Sequence, residues 1–149
     1  MTVSWKSAAI GLGAAFTLCA AILPASAQRV VPAGYDTYYF SGTTADPLNP
    51  ANPNERGNTV QQADNILNKL QGMLQMKGLT FGDVVQAHVF LVTDPAKGDI
   101  DFAGLNSEWG KRFGTATQPN RPSRVAIHVA LPTPGALVEI ELVAAKKAQ

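Results

Sequence analysis

The segment RVAIHVALPTPGALVEIELV, residues 124–143, is the starting point for the architecture that we expect. Two alternating apolar runs flank a Pro/Gly-rich turn at residues 131–135, a pattern that predicts a β-hairpin. Because strand side chains alternate between two faces, the apolar members of both runs should share one face. The alternation then predicts a common second face for four ionisable residues, Arg124, His128, Glu139 and Glu141.

This second face has two interpretations. A turn centred on Thr133 and Pro134 would place His128 opposite Glu139 and would separate Arg124 from Glu139 by roughly 13 Å along the strands. Two long side chains at that separation leave room for a small ligand and a water, which predicts a binding site. The alternative is an ordinary solvated strand face that carries scattered charges.

The N-terminus has the pattern of a secretory signal. One lysine, Lys6, precedes an apolar run at residues 8–23, and Ala25-Ser26-Ala27 follows it as a cleavage site. We expect a signal peptide at residues 1–27, cleavage after Ala27, and a periplasmic or secreted domain at residues 28–149 that has no membrane association after cleavage. An uncleaved anchor is the alternative, although the run is short for a membrane span.

The composition of residues 28–149 excludes several classes of function. Cys19, the one cysteine, lies in the signal segment, so the sequence predicts no disulfide, no cysteine nucleophile and no cysteine metal site. Without Lys6 the chain has 11 basic and 11 acidic residues, because the signal segment holds no acidic residue. A formal net charge of zero predicts no nucleic-acid partner.

With the hairpin at its end, the pattern predicts the order β(β)αβαββ. The Pro-bearing residues 29–34 could form an edge strand, residues 37–41 a strand that ends at Gly42, and residues 84–93 a further strand. A helix at residues 59–77 should begin at the N-cap Asn58 and end at Gly78. A second helix at residues 100–113 should begin at Asp99 and bury a stripe of apolar side chains, Phe102, Leu105, Trp109 and Phe113.

Two amphipathic helices can cover only one face of the predicted sheet. The other face should carry apolar residues, Val84, Phe90, Ala126 and Ala130, beside the charged ones. Such a face predicts self-association, with ligand sites where subunits meet. His88 could join the face of Arg124, although a lone strand histidine is more often a hydrogen-bonded packing residue.

Three segments together resemble the RidA/YjgF family of enamine/imine deaminases. They are GLTFGDVVQAHVFLVTD, DFAGLNSEWGKRF and RPSRVAIHVALPTPGALVEIELVA, and the specific part is the spacing between Pro122-x-Arg124 and Glu139. The resemblance covers residues 38–145. It implies an α+β, chorismate-mutase-like fold, with one mixed sheet covered on one face by two helices, and a homotrimer with a central barrel and clefts between subunits.

The resemblance also implies an activity. Family members hydrolyse 2-imino and 2-enamino acids of the 2-aminoacrylate type to 2-oxo acids and ammonia, without a metal or an organic cofactor. Arg124 matches the carboxylate-binding arginine, and Glu139 matches the acid that orients the water. The cleft positions match Ser41, Gly42, Asn106 and the backbone at Ala126, and His128 and His88 would be supporting neighbours.

Simpler roles remain for these residues and for the chain. Asn106 could cap a helix or lie at the surface, and Ser41-Gly42 could be only a strand-end turn. The chain lacks a Gly-Pro-Tyr segment common before the first long strand of the family, and Thr43 replaces a common glutamine. These departures leave open a non-catalytic trimeric module that binds a small carboxylate through Arg124.

Overall fold

The computed structural model of the protein describes residues 29–148, so the predicted signal peptide at residues 1–27 lies outside the described residues. Its elements are β1 (Tyr35–Thr44), α1 (Thr59–Met76), β2 (Val84–Leu91), α2 (Phe102–Trp109), β3 (Ser123–His128) and β4 (Val138–Lys147), with a 3-10 turn (Phe81–Asp83) before β2. No helix in this part of the chain is long and apolar enough to cross a membrane. Residues 29–34, expected as an edge strand, lie outside any strand.

The four strands form one mixed sheet in the order β1-β4-β2-β3. β4 pairs antiparallel with both β1 and β2, whereas β3 pairs parallel with β2. The predicted hairpin of residues 124–143 is therefore wrong, because β2 lies between its two strands. β2, α2 and β3 form a crossover unit instead, and β4 then returns to the middle of the sheet.

Both helices pack on one face of the sheet, which confirms the predicted layering. The core between them is made of fully buried aliphatic side chains, chiefly Ile66, Leu67, Leu70, Leu74, Val89, Leu91, Leu105, Ile140 and Leu142. Burial of each such side chain stabilises the fold by about 1.5–3 kcal/mol before chain entropy is counted. The helix-covered face will be called the inner face and the opposite one the open face.

The capping of the first helix agrees with the sequence prediction. Asn58 accepts a hydrogen bond from the backbone N–H of Gln61, and the Gln61 side chain accepts from the backbone N–H of Asn58, which completes a capping box. Gly78 follows the helix with a φ of 67°, the left-handed region in which glycine is favoured. The second helix is shorter than predicted and begins at the N-cap Asp101, not at Asp99.

Irregular pairing in two places changes which residues face the core. A register shift between Val84 and Gln86 puts Val84 on the inner face, where the sequence alternation predicts Val85. A second shift between Phe40 and Thr43 makes Ser41 and Gly42 a bulge in β1 next to β4. The open face therefore carries apolar residues that include Tyr39, Phe90, Val125, Ile127 and Val143. Of the residues expected there, Val84 and Ala126 lie on the inner face and Ala130 lies outside β3.

Candidate functional site

The two principal candidates, Arg124 and Glu139, lie on opposite faces of the sheet. Arg124 pairs with Ala87 on the inner face, and Glu139 pairs with Phe90 on the open face. Two strand spacings and three residue positions separate them, so their Cα atoms are roughly 14 Å apart. The predicted common face of Arg124, His128, Glu139 and Glu141 is therefore wrong: the first two residues belong to the inner face and the last two to the open face.

The guanidinium group of Arg124 lies in a cradle formed by α2. Its Nη2 donates a hydrogen bond to Asn106 Oδ1 at 2.7 Å. Its Cζ lies 4.7 Å from the centroid of the Trp109 ring and 5.7 Å from that of Phe102, both within cation–π range. Asn106, predicted to contact the substrate, thus binds the arginine itself.

The second terminal nitrogen of Arg124, Nη1, is shielded from solvent and has no hydrogen-bond partner among residues 29–148. Burial also lowers the pKa of Arg124, because desolvation disfavours the charged form. A buried charged donor without a partner has an unfavourable desolvation energy, which an anionic acceptor would offset. The arrangement is suited to receiving a carboxylate oxygen.

Glu139 belongs to a second cluster, on the open-face side of β4. The backbone of Gly42, within the Ser41-Gly42 bulge of β1, lies against its side chain. A Cβ on Gly42 would lie 3.0 Å from Glu139 Cδ and 3.2 Å from its Cγ, and would overlap its Oε1. A side chain at position 42 would therefore displace this carboxylate. The structure brings together Gly42 and Glu139, two of the residues expected at the cleft, and their role there stays a prediction.

The two histidines lie apart from Arg124 and from each other. His88 is on the open face, where its Nδ1 lies 2.5 Å from Glu141 Oε1 and its Nε2 lies 2.9 Å from Gln86 Nε2. His128, at the end of β3, has its Nε2 3.0 Å from Thr93 Oγ1. The predicted pairing of His128 with Glu139 is wrong, and so is the placement of His88 on the face of Arg124. Ala126 lies on the inner face, two residues beyond Arg124, and packs against the core.

Sequence reasoning assigned Trp109 and Phe102 to the core and missed their contact with Arg124. Phe102, Asn106 and Trp109 occur at positions i, i+4 and i+7, a spacing that places them on one stripe of a helix. An asparagine between two aromatic residues on such a stripe is the signal that could have indicated a polar contact there. Its partner could not be inferred without the strand order.

The open face also carries a concavity of about 600 Å³, which neither Arg124 nor Glu139 lines. Its walls come from residues 29–31 and from strand residues that include Tyr39, Gln86, Ser123 and Val143. No group of three or more metal-ligating side chains occurs among residues 29–148. Within one chain, the candidate residues therefore form two separate clusters: the α2 cradle around Arg124, and the bulge around Glu139.

Comparison with known proteins places this arrangement in context. Residues 24–146 match a protein family described as Endoribonuclease L-PSP. A RutC family protein of Haemophilus influenzae is 33% identical over 68% of this chain and 74% of its own length. The fold is similar to that of the yjgF gene product of E. coli (28% identity, TM-score 0.58, 74% and 80% of the two chains) and to that of E. coli TdcF with bound serine (27% identity, TM-score 0.58, 74% and 80%).

Proposed function

Since this chain belongs to the Endoribonuclease L-PSP family, which includes the YjgF proteins, we propose that it hydrolyses reactive 2-imino and 2-enamino acids to 2-oxo acids and ammonia. The observation that carries the proposal is the Arg124 cradle, in which Asn106 binds one nitrogen and the other is buried without a partner in the part of the chain that the structure describes. The substrate carboxylate would accept hydrogen bonds from this guanidinium, whose planar fork matches a carboxylate. The imine carbon is then fixed one bond away from the anchored group.

Glu139 is the proposed acid–base group. It takes a proton from a water that adds to the C=N carbon, and a carbinolamine forms. Glu139 returns this first proton to the nitrogen as the carbinolamine forms. Transfer of the carbinolamine hydroxyl proton to the same nitrogen then breaks the C–N bond, releases ammonia and leaves the 2-oxo acid. No cofactor is required, because water and two proton transfers balance the reaction.

Arg124 and Glu139 of one chain cannot reach the same small substrate from opposite faces of a sheet. We therefore place the reaction between copies, with the Arg124 cradle of one chain facing the Glu139 bulge of the next. The edge position of β3 supports this arrangement, since its outer side has no strand neighbour in the described sheet. A cyclic trimer, whose open faces enclose a barrel, is the assembly that we propose, and the periplasm or cell exterior is its proposed location.

The first experiment measures deamination directly. An amino-acid oxidase generates 2-iminobutanoate in the assay, and semicarbazide competes with the protein for the imine. Wild-type protein should suppress semicarbazone formation, and the Arg124→Ala variant should not, because it cannot bind the carboxylate. Arg112→Ala serves as the matched control, since Arg112 bonds Asp64 and Asn68 away from either cluster. Equal suppression by wild type and Arg124→Ala contradicts the proposal.

A second experiment tests whether two copies share a site. Arg124→Ala and Glu139→Gln chains are inactive alone, but a trimer that contains both can pair an intact arginine with an intact glutamate. Random mixing in equal amounts should restore about one quarter of the wild-type activity, because one adjacent pairing in four is intact on both sides. No recovery after the chains are unfolded together and refolded would place both residues in the same chain's site.

The second candidate function is a module that binds a small carboxylate without turnover. The separation of Arg124 from Glu139 favours it, because the cradle alone suffices for binding. E. coli TdcF, a structural relative, has been solved with bound serine, a small carboxylate. In that case 2-oxobutanoate should raise the Tm of wild type and not of Arg124→Ala, while semicarbazone formation stays unchanged.

RNA cleavage, which the family description names, is not extended to this chain. A formal net charge of zero for residues 28–149 provides little attraction for a phosphate backbone.

A further inference from the structure

A continuous aromatic stack connects the hydrophobic core to Arg124. Phe81 meets Phe113 edge to face, with ring centroids 4.9 Å apart, and Phe113 stacks on Trp109 at 4.3 Å with an interplanar angle of 22°. The guanidinium of Arg124 is the next member, 4.7 Å from the Trp109 ring. Phe81 and Phe113 are buried, so the stack is anchored at its core end.

We propose that Trp109 is the positioning residue of this site: its ring holds the Arg124 guanidinium in the orientation that keeps Nη1 available to a carboxylate ligand. The inference deepens the proposed function and rests on its assignment of Arg124 as the carboxylate anchor. Asn106 and Trp109 have different parts in it. Asn106 accepts a hydrogen bond from Nη2 and so fixes the direction of that N–H bond within the guanidinium plane. The indole ring of Trp109 lies against the guanidinium group and fixes the orientation of the plane itself.

Positioning affects affinity because a free arginine side chain populates many rotamers. The apparent affinity for a ligand falls in proportion to the fraction of molecules that hold the binding-competent rotamer. A partly desolvated cation–π contact of about 1 kcal/mol corresponds to about a fivefold change in that fraction. Weakening the indole quadrupole, with the shape of the side chain kept, should therefore weaken carboxylate binding.

Fluorinated tryptophans provide this perturbation. The chain has two tryptophans, Trp5 and Trp109, so a Trp5→Phe background leaves Trp109 as the single site of incorporation. Mono-, di- and tetrafluorotryptophan reduce the negative charge on the ring face step by step with little change in its shape. Calorimetric titration with 2-oxobutanoate measures the Kd of each protein, and a thermal melt verifies that the fold is retained.

We expect the Kd to increase with each added fluorine, by about fivefold over the series. A Kd that does not change overturns the positioning role, since a residue that only packs would respond to shape and not to ring charge. A Kd that decreases also overturns it, because Trp109 would then hold Arg124 away from the ligand. Trp109→Phe, which keeps an aromatic face, should bind more tightly than Trp109→Leu.

A second readout needs neither ligand binding nor turnover. Phenylglyoxal modifies accessible guanidinium groups, and peptide mass mapping measures its rate at Arg124, with Arg56 as an internal reference in the same digest. Fluorination of Trp109 should accelerate modification of Arg124 alone, and equal rates across the series would contradict the proposal. If 2-oxobutanoate does not bind even the unfluorinated protein, the proposed function fails at its anchor, whereas the phenylglyoxal rates still decide whether Trp109 holds Arg124.

Discussion

Replacement of Gly42 by alanine should reduce the proposed deamination while leaving the fold almost unchanged. The added Cβ would overlap Glu139 Oε1 and lie 3.0 Å from Glu139 Cδ, so the carboxylate has to move. It can move at low cost, because Glu139 is only half-buried and the atoms that would be displaced are the far end of a flexible side chain. Gly42 has no positive φ, so the alanine backbone itself is not strained.

The opposing contributions to stability are similar in size. A rotamer shift of Glu139 costs about 0.5–1.5 kcal/mol, and the reduced entropy of the unfolded chain contributes about 0.4–1 kcal/mol in favour of the variant. The free energy of unfolding should therefore change by less than about 1 kcal/mol. Catalysis is more sensitive, because a displacement of about 1 Å in a reacting group can lower the rate roughly 100-fold.

The assay compares kcat/KM for 2-iminobutanoate hydrolysis with the Tm in the same preparations. Gly72→Ala is the matched control: it adds a methyl group near the C-terminal end of α1, where nothing lies within 4 Å, and should keep full activity. Glu139→Gln shows the loss expected when the acid–base group is absent. A Gly42→Ala protein that keeps the wild-type kcat/KM would refute the reasoning, since the carboxylate would then not act from the place that the bulge creates.

Further substitutions test the remaining contacts. Asn106→Leu removes the acceptor for Arg124 Nη2, so a hydrogen bond to a charged group is lost. The KM should rise at least about tenfold, with a smaller effect on kcat. Asn68→Leu is the kinetic control, because it removes a similar hydrogen bond to Arg112. Asn58→Ala removes the capping box of α1 and should lower the free energy of unfolding by about 1 kcal/mol in urea. The hydrogen bond from Lys97, followed by that from the Gly104 backbone, lowers the pKa of Asp101, so the unfolded chain binds this proton more tightly. Its stabilisation is full at pH values above about 4 and is lost as the pH falls through the lower folded-state pKa, so wild type and Asp101→Asn should differ in Tm at pH 7 and converge near pH 2. A constant Tm difference over that range would show that the Lys97 contact has no role in stability.

The helices and strands could be predicted from the sequence because the patterns that specify them involve only residues close together in the chain. Asn58, Gln61 and Gly78 specify both ends of α1 through contacts within a few residues. The alternation in residues 124–143 likewise gives two strands and the faces within each. The sequence predicts two amphipathic helices, and two helices can cover only one face of the sheet, so the layering was also predictable.

The order of the strands in the sheet could not be predicted from the sequence, because apolar and polar residues alternate in the same way whether or not two strands are neighbours. The turn at residues 131–135 favours a hairpin, yet the insertion of β2 between β3 and β4 gives β2 a partner on each side and buries Val89 and Leu91 completely. That non-local gain outweighs the local preference of the turn. Each of the two residues was assigned correctly to a strand. Because the predicted strand order was wrong, however, Arg124 and Glu139 were expected on one face of the sheet, whereas they lie on opposite faces.

The placement of the two clusters gives a physical reason for coupling the proposed catalysis to assembly. A guanidinium and a carboxylate within reach of each other in one chain would form an ion pair, and a substrate would have to break it before binding. Opposite faces prevent that pairing: Arg124 remains engaged with Asn106 and Trp109, and Glu139 remains against the glycine bulge. The two groups would meet only where a second chain brings its bulge to the cradle, with a substrate between them. Dilution of the protein below the dissociation constant of the oligomer should therefore abolish turnover, while each chain keeps its helices and sheet.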